Sequence, residues 1–299
     1  MIVQLDKVWK TYGRFAALRS MSMRVPDGSV FALVGANGAG KTTTIKLLMN
    51  LIRPTTGDAT VLGVNSRGLS PKELAQIGYV SENQEMPGRM TVAAYIRYLR
   101  PYYPTWDRPL EAAVLKKLQL PPERRIKDLS HGMRMKMALA CALPFRPRLL
   151  VLDEPLSGLD PLVRDEFMEG LRLQAHEMTV LISSHELAEI EAVTTHVAFL
   201  DRGALLFQEA MTDLKARIRE VRVTTQGEAR APAMAPREWL DVRAAGNLLS
   251  FVDTRYSEGE LAARIATLLG TVHLIETKPV ALRSLYTTLA RAAREEAQL

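Results

Sequence analysis

Apolar and polar residues alternate along Ile2–Val8 and again along Met21–Val25, with Tyr12-Gly13-Arg14 between them. That period of two predicts strands joined through a turn. Ser29 to Val34 differs, being a short, continuously apolar run after Pro26-Asp27-Gly28, which predicts a central strand buried on both faces. A glycine-rich turn, Gly35 to Gly40, leads into Thr42–Leu51, where apolar residues recur at helical spacing until Arg53-Pro54 stops them. Further strands are expected at 59–62, 77–80, 149–152, 179–182 and 196–200, with helical patterns between them, an alternation that indicates an α/β sheet.

Between Thr91 and Pro147 the pattern is mainly helical, broken at Pro101–Pro109 and Pro121-Pro122, which predicts a helical insertion at about 85–147. Composition shifts near Ala216, and Gly227–Pro236 is rich in Ala, Pro and Gly. The expected organisation is therefore a nucleotide-site domain over 1–212 and a small α/β domain over 213–299. The second has expected strands near Val221, at 248–252 and at 271–275, and helices from Ser257 and Ala281.

The length of 299 residues agrees with about two domains. A hydrophobic share of 47% with 24% charged residues is globular composition and excludes a collagenous, coiled-coil or disordered chain. The single cysteine, Cys141, excludes an intrachain disulfide and fits a reducing, cytoplasmic compartment. No apolar run reaches the length of a membrane span, and charges at Asp6 and Lys7 interrupt any signal-type segment. Work at a membrane would need a partner. The net charge of +6 is spread rather than gathered in a stripe, so no specific nucleic acid is expected.

The chemistry lies in motifs. Gly35-Ala36-Asn37-Gly38-Ala39-Gly40-Lys41-Thr42, followed by Thr43, fits GxxxxGK[ST] between an expected buried strand and a helix, the context that distinguishes a phosphate-binding loop from an ordinary glycine turn. Backbone N–H groups and the helix N-terminus would face phosphates, Lys41 would reach the β and γ phosphates, and Thr42 would ligate Mg²⁺. Leu149–Glu154 is an apolar strand ending in two carboxylates. Asp153 could hold Mg²⁺ through a water, while Glu154, pointing the other way along the pleat, could polarise an attacking water.

These motifs, with Leu129-Ser130-His131-Gly132-Met133, Ser157-Gly158-Leu159-Asp160 and His185, occur in the order found in ATP-binding cassette (ABC) proteins. The resemblance covers about 1–212 and is closest to the ATP-hydrolysing subunits of bacterial drug and antibiotic exporters. It implies an ABC ATPase core of the P-loop NTPase class, with a mixed sheet and a helical subdomain. It also implies ATP and Mg²⁺ as cofactors, a homodimer or a pair with a closely related ABC subunit, and a separate integral membrane transport subunit, with the chain peripheral on the inner membrane face. Residues 129–133 become the signature loop, whose Ser130 and Gly132 N–H contact ATP on the opposite subunit; His131 and Met133 stand where the common form LSGGQ has Gly and Gln. Tyr12 becomes the adenine-stacking aromatic and His185 the switch histidine, and Asp160 joins the nucleotide-contacting set. The family's glutamine loop falls on either Glu82, by register, or Gln84, by residue type, as a group near Mg²⁺ or the water.

One region carries an open reading. Tyr95, Tyr98, Tyr102, Tyr103 and Trp106 are expected to be packing of the helical insertion, or else a socket for a helix of the membrane partner. His131, His176, His196 and His273 are read as structural or surface residues. A soluble cassette ATPase of DNA repair or translation is the alternative function, but such proteins carry long coiled-coil insertions or two cassettes, and neither is evident. A GTPase or small-molecule kinase leaves residues 129–133 and His185 unexplained and lacks an NKxD motif.

Overall fold

The structure is a computed structural model that describes residues 1–172, 177–232 and 235–296. In chain order the first part contains β1 (Val3–Tyr12), β2 (Phe15–Val25), β3 (Val30–Val34), α1 (Lys41–Leu48), β4 (Thr56–Val61), β5 (Val64–Asn65), α2 (Pro71–Leu74) and β6 (Ile77–Ser81). Three helices follow, α3 (Val92–Leu99), α4 (Arg108–Lys117) and α5 (His131–Ala142). Then come β7 (Leu149–Asp153), α6 (Pro161–Arg172), β8 (Thr179–Ser184), α7 (Leu187–Ile190), β9 (His196–Asp201) and β10 (Ala204–Ala210). The remainder is α8 (Met211–Arg217), β11 (Arg219–Thr225), β12 (Trp239–Ala245), β13 (Leu248–Asp253), α9 (Glu258–Leu269), β14 (Val272–Pro279) and α10 (Leu282–Glu296). Two compact units result, 1–185 with 193–208, and 186–192 with 209–299.

The first unit divides its strands between two sheets. One has the order β2-β1-β4-β5, and the other β10-β9-β3-β8-β7-β6. Within the second, β9, β3, β8, β7 and β6 pair in parallel, and all five residues of β3 and of β7 are buried. That is why those segments read as unbroken apolar runs. Leu5, Met23, Phe31, Ile45, Val151 and Leu181 belong to one buried cluster that ties the antiparallel hairpin, α1 and the parallel sheet together.

β1 and β2 extend well beyond the alternating stretches seen in the sequence and meet at a two-residue turn over Gly13 and Arg14. Register shifts between Leu5 and Thr11, with Lys7 and Ser20 at positive φ, flip the alternation partway and hide the full strand length from a period-two reading. The insertion between β6 and β7 is helical as expected. Its anchor is Glu111, buried at 7% exposure, which receives Arg100 through two bonds of 2.8 and 2.6 Å and Trp106 Nε1 at 2.8 Å.

The second unit is a four-stranded sheet, β12-β13-β11-β14. Val221, Phe251, Leu249, Trp239, Leu261 and Ile265 form its core, with the Trp239 and Phe251 rings stacked at 3.9 Å. Its observed order includes a strand, β12, that the sequence reading lacked, because β12 follows the Ala- and Pro-rich stretch and carries the polar Asp241 and Arg243. Arg264 reaches the fully buried Asp253 at 3.1 Å. Among the described residues no helix is long and apolar enough to cross a membrane.

Candidate functional site

The site lies where the parallel strands end at their C-terminal edge, the side on which open α/β sheets bind ligands. β3 runs into the glycine loop, β7 into Asp153-Glu154, β8 into His185 and β6 into Glu82. Pairing aligns Ser81 with Asp153 and Asp153 with Ser183, so these strand ends sit side by side.

Two glycines make the loop possible. Gly38 holds φ +80, and Gly40 holds φ +110 with no room for a Cβ, which would lie 2.7 Å from Leu18 Cδ2 and 2.9 Å from the Ala17 carbonyl. Gly40 is also the N-cap of α1 and offers no capping side chain, so the first N–H groups of that helix keep their donors for a ligand. Lys41 is 4% exposed. Its Nζ donates to the carbonyls of Gly35 (2.6 Å) and Ala36 (3.2 Å) and lies 3.0 Å from Glu154 Oε1.

Asp153, 5% exposed, accepts through one oxygen from Ser183 Oγ at 2.8 Å and from Thr42 Oγ1 at 3.2 Å. Burial pushes its carboxyl above the usual carboxylate range, with the neighbouring Glu154 adding to this, while the bonds from Ser183 and Thr42 and the charge of Lys41 oppose it. Glu154 sits at φ +51, a left-handed conformation held by the bond from its N–H to Ser183 Oγ at 2.9 Å. Its Oε2 lies 2.8 Å from His185 Nδ1. A carboxylate only accepts, so in this bond Nδ1 carries the hydrogen.

Tyr12, Asn37, Gly38, Gly40, Lys41, Thr42, Thr43, Glu82 and Glu154 line one cleft of about 400 Å³, with Phe15 and Ala17 beside them. Gly35, Ala36 and Ala39 belong to the same loop but are not among the residues that line the cleft. Tyr12 is half exposed, with Lys10 Nζ 4.9 Å from its ring centre. Phe15 faces Tyr12 across the hairpin turn, and the sequence reading passed over it, although an aromatic three residues after Tyr12 in so tight a turn was a usable signal.

Gln84 is not brought to this cleft. Its amide lines a second groove with Tyr79, Tyr95, Leu99, Tyr103 and Phe145, and its Oε1 is buried without a hydrogen-bond partner among the described residues. The chain turns between the two positions: Glu82 N–H donates to the Asp153 carbonyl, and Gln84 N–H closes back on Ser81. Of the pair, Glu82 thus lines the phosphate-loop cleft and Gln84 the second groove.

The aromatic cluster divides in the same way. Tyr103, Trp106 and Phe145 pack together, Tyr103 on Phe145 at 4.0 Å, whereas Tyr98 and Tyr102 are exposed with hydroxyls 3.1 Å apart. Ser130, Gly132 and Asp160 do not line the Lys41 cleft. Ser130 caps α5 by accepting from Met133 N–H, and Asp160 accepts from Val163 N–H at the start of α6. His196 stacks near Phe31 and His273 is exposed; His131 bonds the Ser157 carbonyl, and His176 lies outside the described residues.

A buried lysine at a glycine loop, opposed by two strand-end carboxylates and a histidine, defines a P-loop nucleotide-binding protein of the cassette type. Residues 18–157 match the family model described as ABC transporter. The chain is 33% identical over 224 residues to the probable multidrug ABC transporter ATP-binding protein YbhF of Escherichia coli K12, a match covering 72% of this chain and 38% of that protein. It is 32% identical to the uncharacterized ABC transporter ATP-binding protein YcbN of Bacillus subtilis 168, across 77% of this chain and 76% of that one. Among solved structures, a bacterial Atm1-family ABC exporter with ATP bound superposes with a TM-score of 0.62 at 28% identity, over 72% of this chain and 39% of the exporter chain. The chain belongs to the ABC transporter family, as one of its ATP-binding proteins.

Proposed function

We propose that this chain is the ATP-binding and hydrolysing subunit of an ABC exporter, and that it powers a separate membrane subunit from the cytoplasmic face through ATP-driven pairing of two cassettes. The observation that carries this is the Glu154 carboxylate, held between Lys41 at 3.0 Å and His185 at 2.8 Å at the mouth of the phosphate loop. The exporter assignment draws on the multidrug and exporter relatives, whose proteins are longer than the matched region.

In this reading Tyr12 stacks on the adenine, the loop amides from Gly35 to Thr43 and the α1 N-terminus hold the phosphates, and phosphate replaces Glu154 as the partner of Lys41. Glu154, released from the ammonium but still held by His185, then orients the attacking water and takes its hydrogen bond. The donors fit Mg²⁺: Thr42 Oγ1 and Asp153 Oδ1 lie together beside the loop, Glu82 stands on the same cleft, and this ion uses one or two protein ligands with phosphate oxygens and waters. Bound there, Mg²⁺ would neutralise charge developing on the β and γ phosphates. Ser130 and Gly132 engage ATP of the opposite subunit, and Asp160 lies at the same face. The groove beside Gln84 takes a helix of the membrane partner, and the second unit is an accessory domain. Helices of only 8, 10 and 12 residues between β6 and β7 suit a transporter subunit, since a repair cassette would carry a long coiled coil there.

Glu154→Gln keeps size and hydrogen bonding but removes the carboxylate. ATP affinity should be retained while steady-state turnover falls by about 10²-fold to 10⁴-fold, the usual contribution of a positioned base. Turnover within twofold of the native protein would overturn the assignment.

A further inference from the structure

His131 follows the cap of α5, and its half-buried ring lies against the loop that leaves Glu154. Its Nε2 lies 3.2 Å from the carbonyl oxygen of Ser157. A carbonyl oxygen only accepts, so the ring is fixed with a hydrogen on Nε2. Two further contacts hold α5 to α6, the helix that follows this loop. Gly132 lies so close to Val163 that a Cβ would sit 2.8 Å from its Cγ1, and Lys136 Nζ reaches Glu166 Oε2 at 2.6 Å. Those two join α5 to α6, whereas the His131 bond alone reaches the backbone of the intervening loop, where Gly158 takes φ +67. The loop is four residues long, begins just after Glu154-Pro155-Leu156, and ends at Asp160, which caps α6.

We propose that His131 is a positioning residue: by donating Nε2–H to the Ser157 carbonyl it clamps the loop Ser157–Asp160 against the N-terminus of α5. The surface carrying Ser130 and Gly132 and the segment leaving Glu154 then keep one geometry as two cassettes close. A glycine at 131 has no donor with which to make this link. The inference rests on the reading above that Ser130 and Gly132 engage ATP in trans.

The test compares His131→Ala and His131→Gln in the full chain, each alone and combined with Glu154→Gln. An N–H···O bond of this kind biases a two-state equilibrium by about threefold to tenfold. His131→Ala should therefore raise the ATP concentration for half-dimerisation of the Glu154→Gln form by that factor and lower kcat similarly. The ATP dissociation constant of the dilute monomer should stay within twofold of native. His131→Gln, whose amide can donate to the same carbonyl, should recover both properties to within twofold. Nitrogen-15 spectra of the native protein above the ordinary imidazole titration range should show the Nε2–H tautomer at His131.

An Ala variant indistinguishable from native overturns the proposal. So does a Gln variant with native circular dichroism and melting that behaves like Ala, an Ala defect that resides in monomer affinity, or an Nδ1–H tautomer. If Glu154→Gln never dimerises with ATP, it is the trans-site reading that fails; the tautomer and the kcat comparison still judge the His131 link.

Discussion

Asp153 shows how a site residue can oppose the fold that carries it. Its carboxyl is held above the ordinary range by burial, so between the unfolded and native values the native state binds more protons than the unfolded chain. Stability therefore falls as pH rises through that window, and the full penalty is present above the native value. Asp153→Asn keeps an oxygen to accept from Thr42 and Ser183 and should melt higher at neutral pH. About 2–4 °C is expected, the shift that ~1 kcal/mol gives in a protein of this size. Calorimetry across pH checks the sign: the advantage should shrink as pH falls toward the ordinary carboxylate range. The glycine loop and the two carboxylates were legible in the sequence because their chemistry fixes residue type and order. His131 departs from LSGGQ but reads as structural, and Phe15 is not named, because a histidine beside a cap and an aromatic in a turn have ordinary structural uses. The choice between Glu82 and Gln84 was open because only the path of the chain after β6 decides which faces the cleft.

Among the elements, the helical insertion depends on one polar anchor. Burial alone would raise the Glu111 carboxyl, yet bonds from Arg100 and Trp106 hold it below the usual range, so it is charged and paired inside the insertion. Glu111→Leu leaves Arg100 and Trp106 Nε1 without their acceptor and should cost about 3 kcal/mol, the scale for breaking a largely buried pair. Urea titration followed by fluorescence would detect it as a lowered midpoint at unchanged slope. Element types were mostly legible where burial was uniform. β3 and β7 are covered on both faces and read as strands at once. β1 and β2 were underestimated because bulges shift the side-chain alternation, and β12 was missed because its exposed polar positions and its Ala- and Pro-rich approach masked the strand.

For the whole molecule, the separation between the Lys41 cleft and Ser130 with Gly132 sets the test of assembly. If those groups serve the site of another copy, the Glu154→Gln protein should move from monomer to dimer on adding ATP and Mg²⁺, since ligand bound between subunits favours the closed pair by its differential affinity. Ser130→Arg in that background should abolish the shift while each subunit still binds ATP, as read by light scattering coupled to size exclusion. A dimer that forms equally well with Arg at 130 would end the trans-site reading. The change in composition sets an expected boundary at 213, whereas the second compact unit takes in 186–192 together with 209–299, a membership that depends on packing remote in the chain and not on local composition.

The left-handed backbone at Glu154 has an evolutionary consequence. A non-glycine residue in that region is conformationally expensive, by about 1 kcal/mol or more, and glycine would relieve the cost. Selection for durability alone would therefore favour discarding the side chain that the proposed chemistry needs. Only continued demand for turnover would keep a carboxylate there, so among descendants of this chain position 154 would record whether the lineage still spends nucleotide. Copies released from that demand would be expected to change there early, while the glycine loop, whose residues also satisfy the packing around Leu18 and Ala17, would outlast the activity it once served.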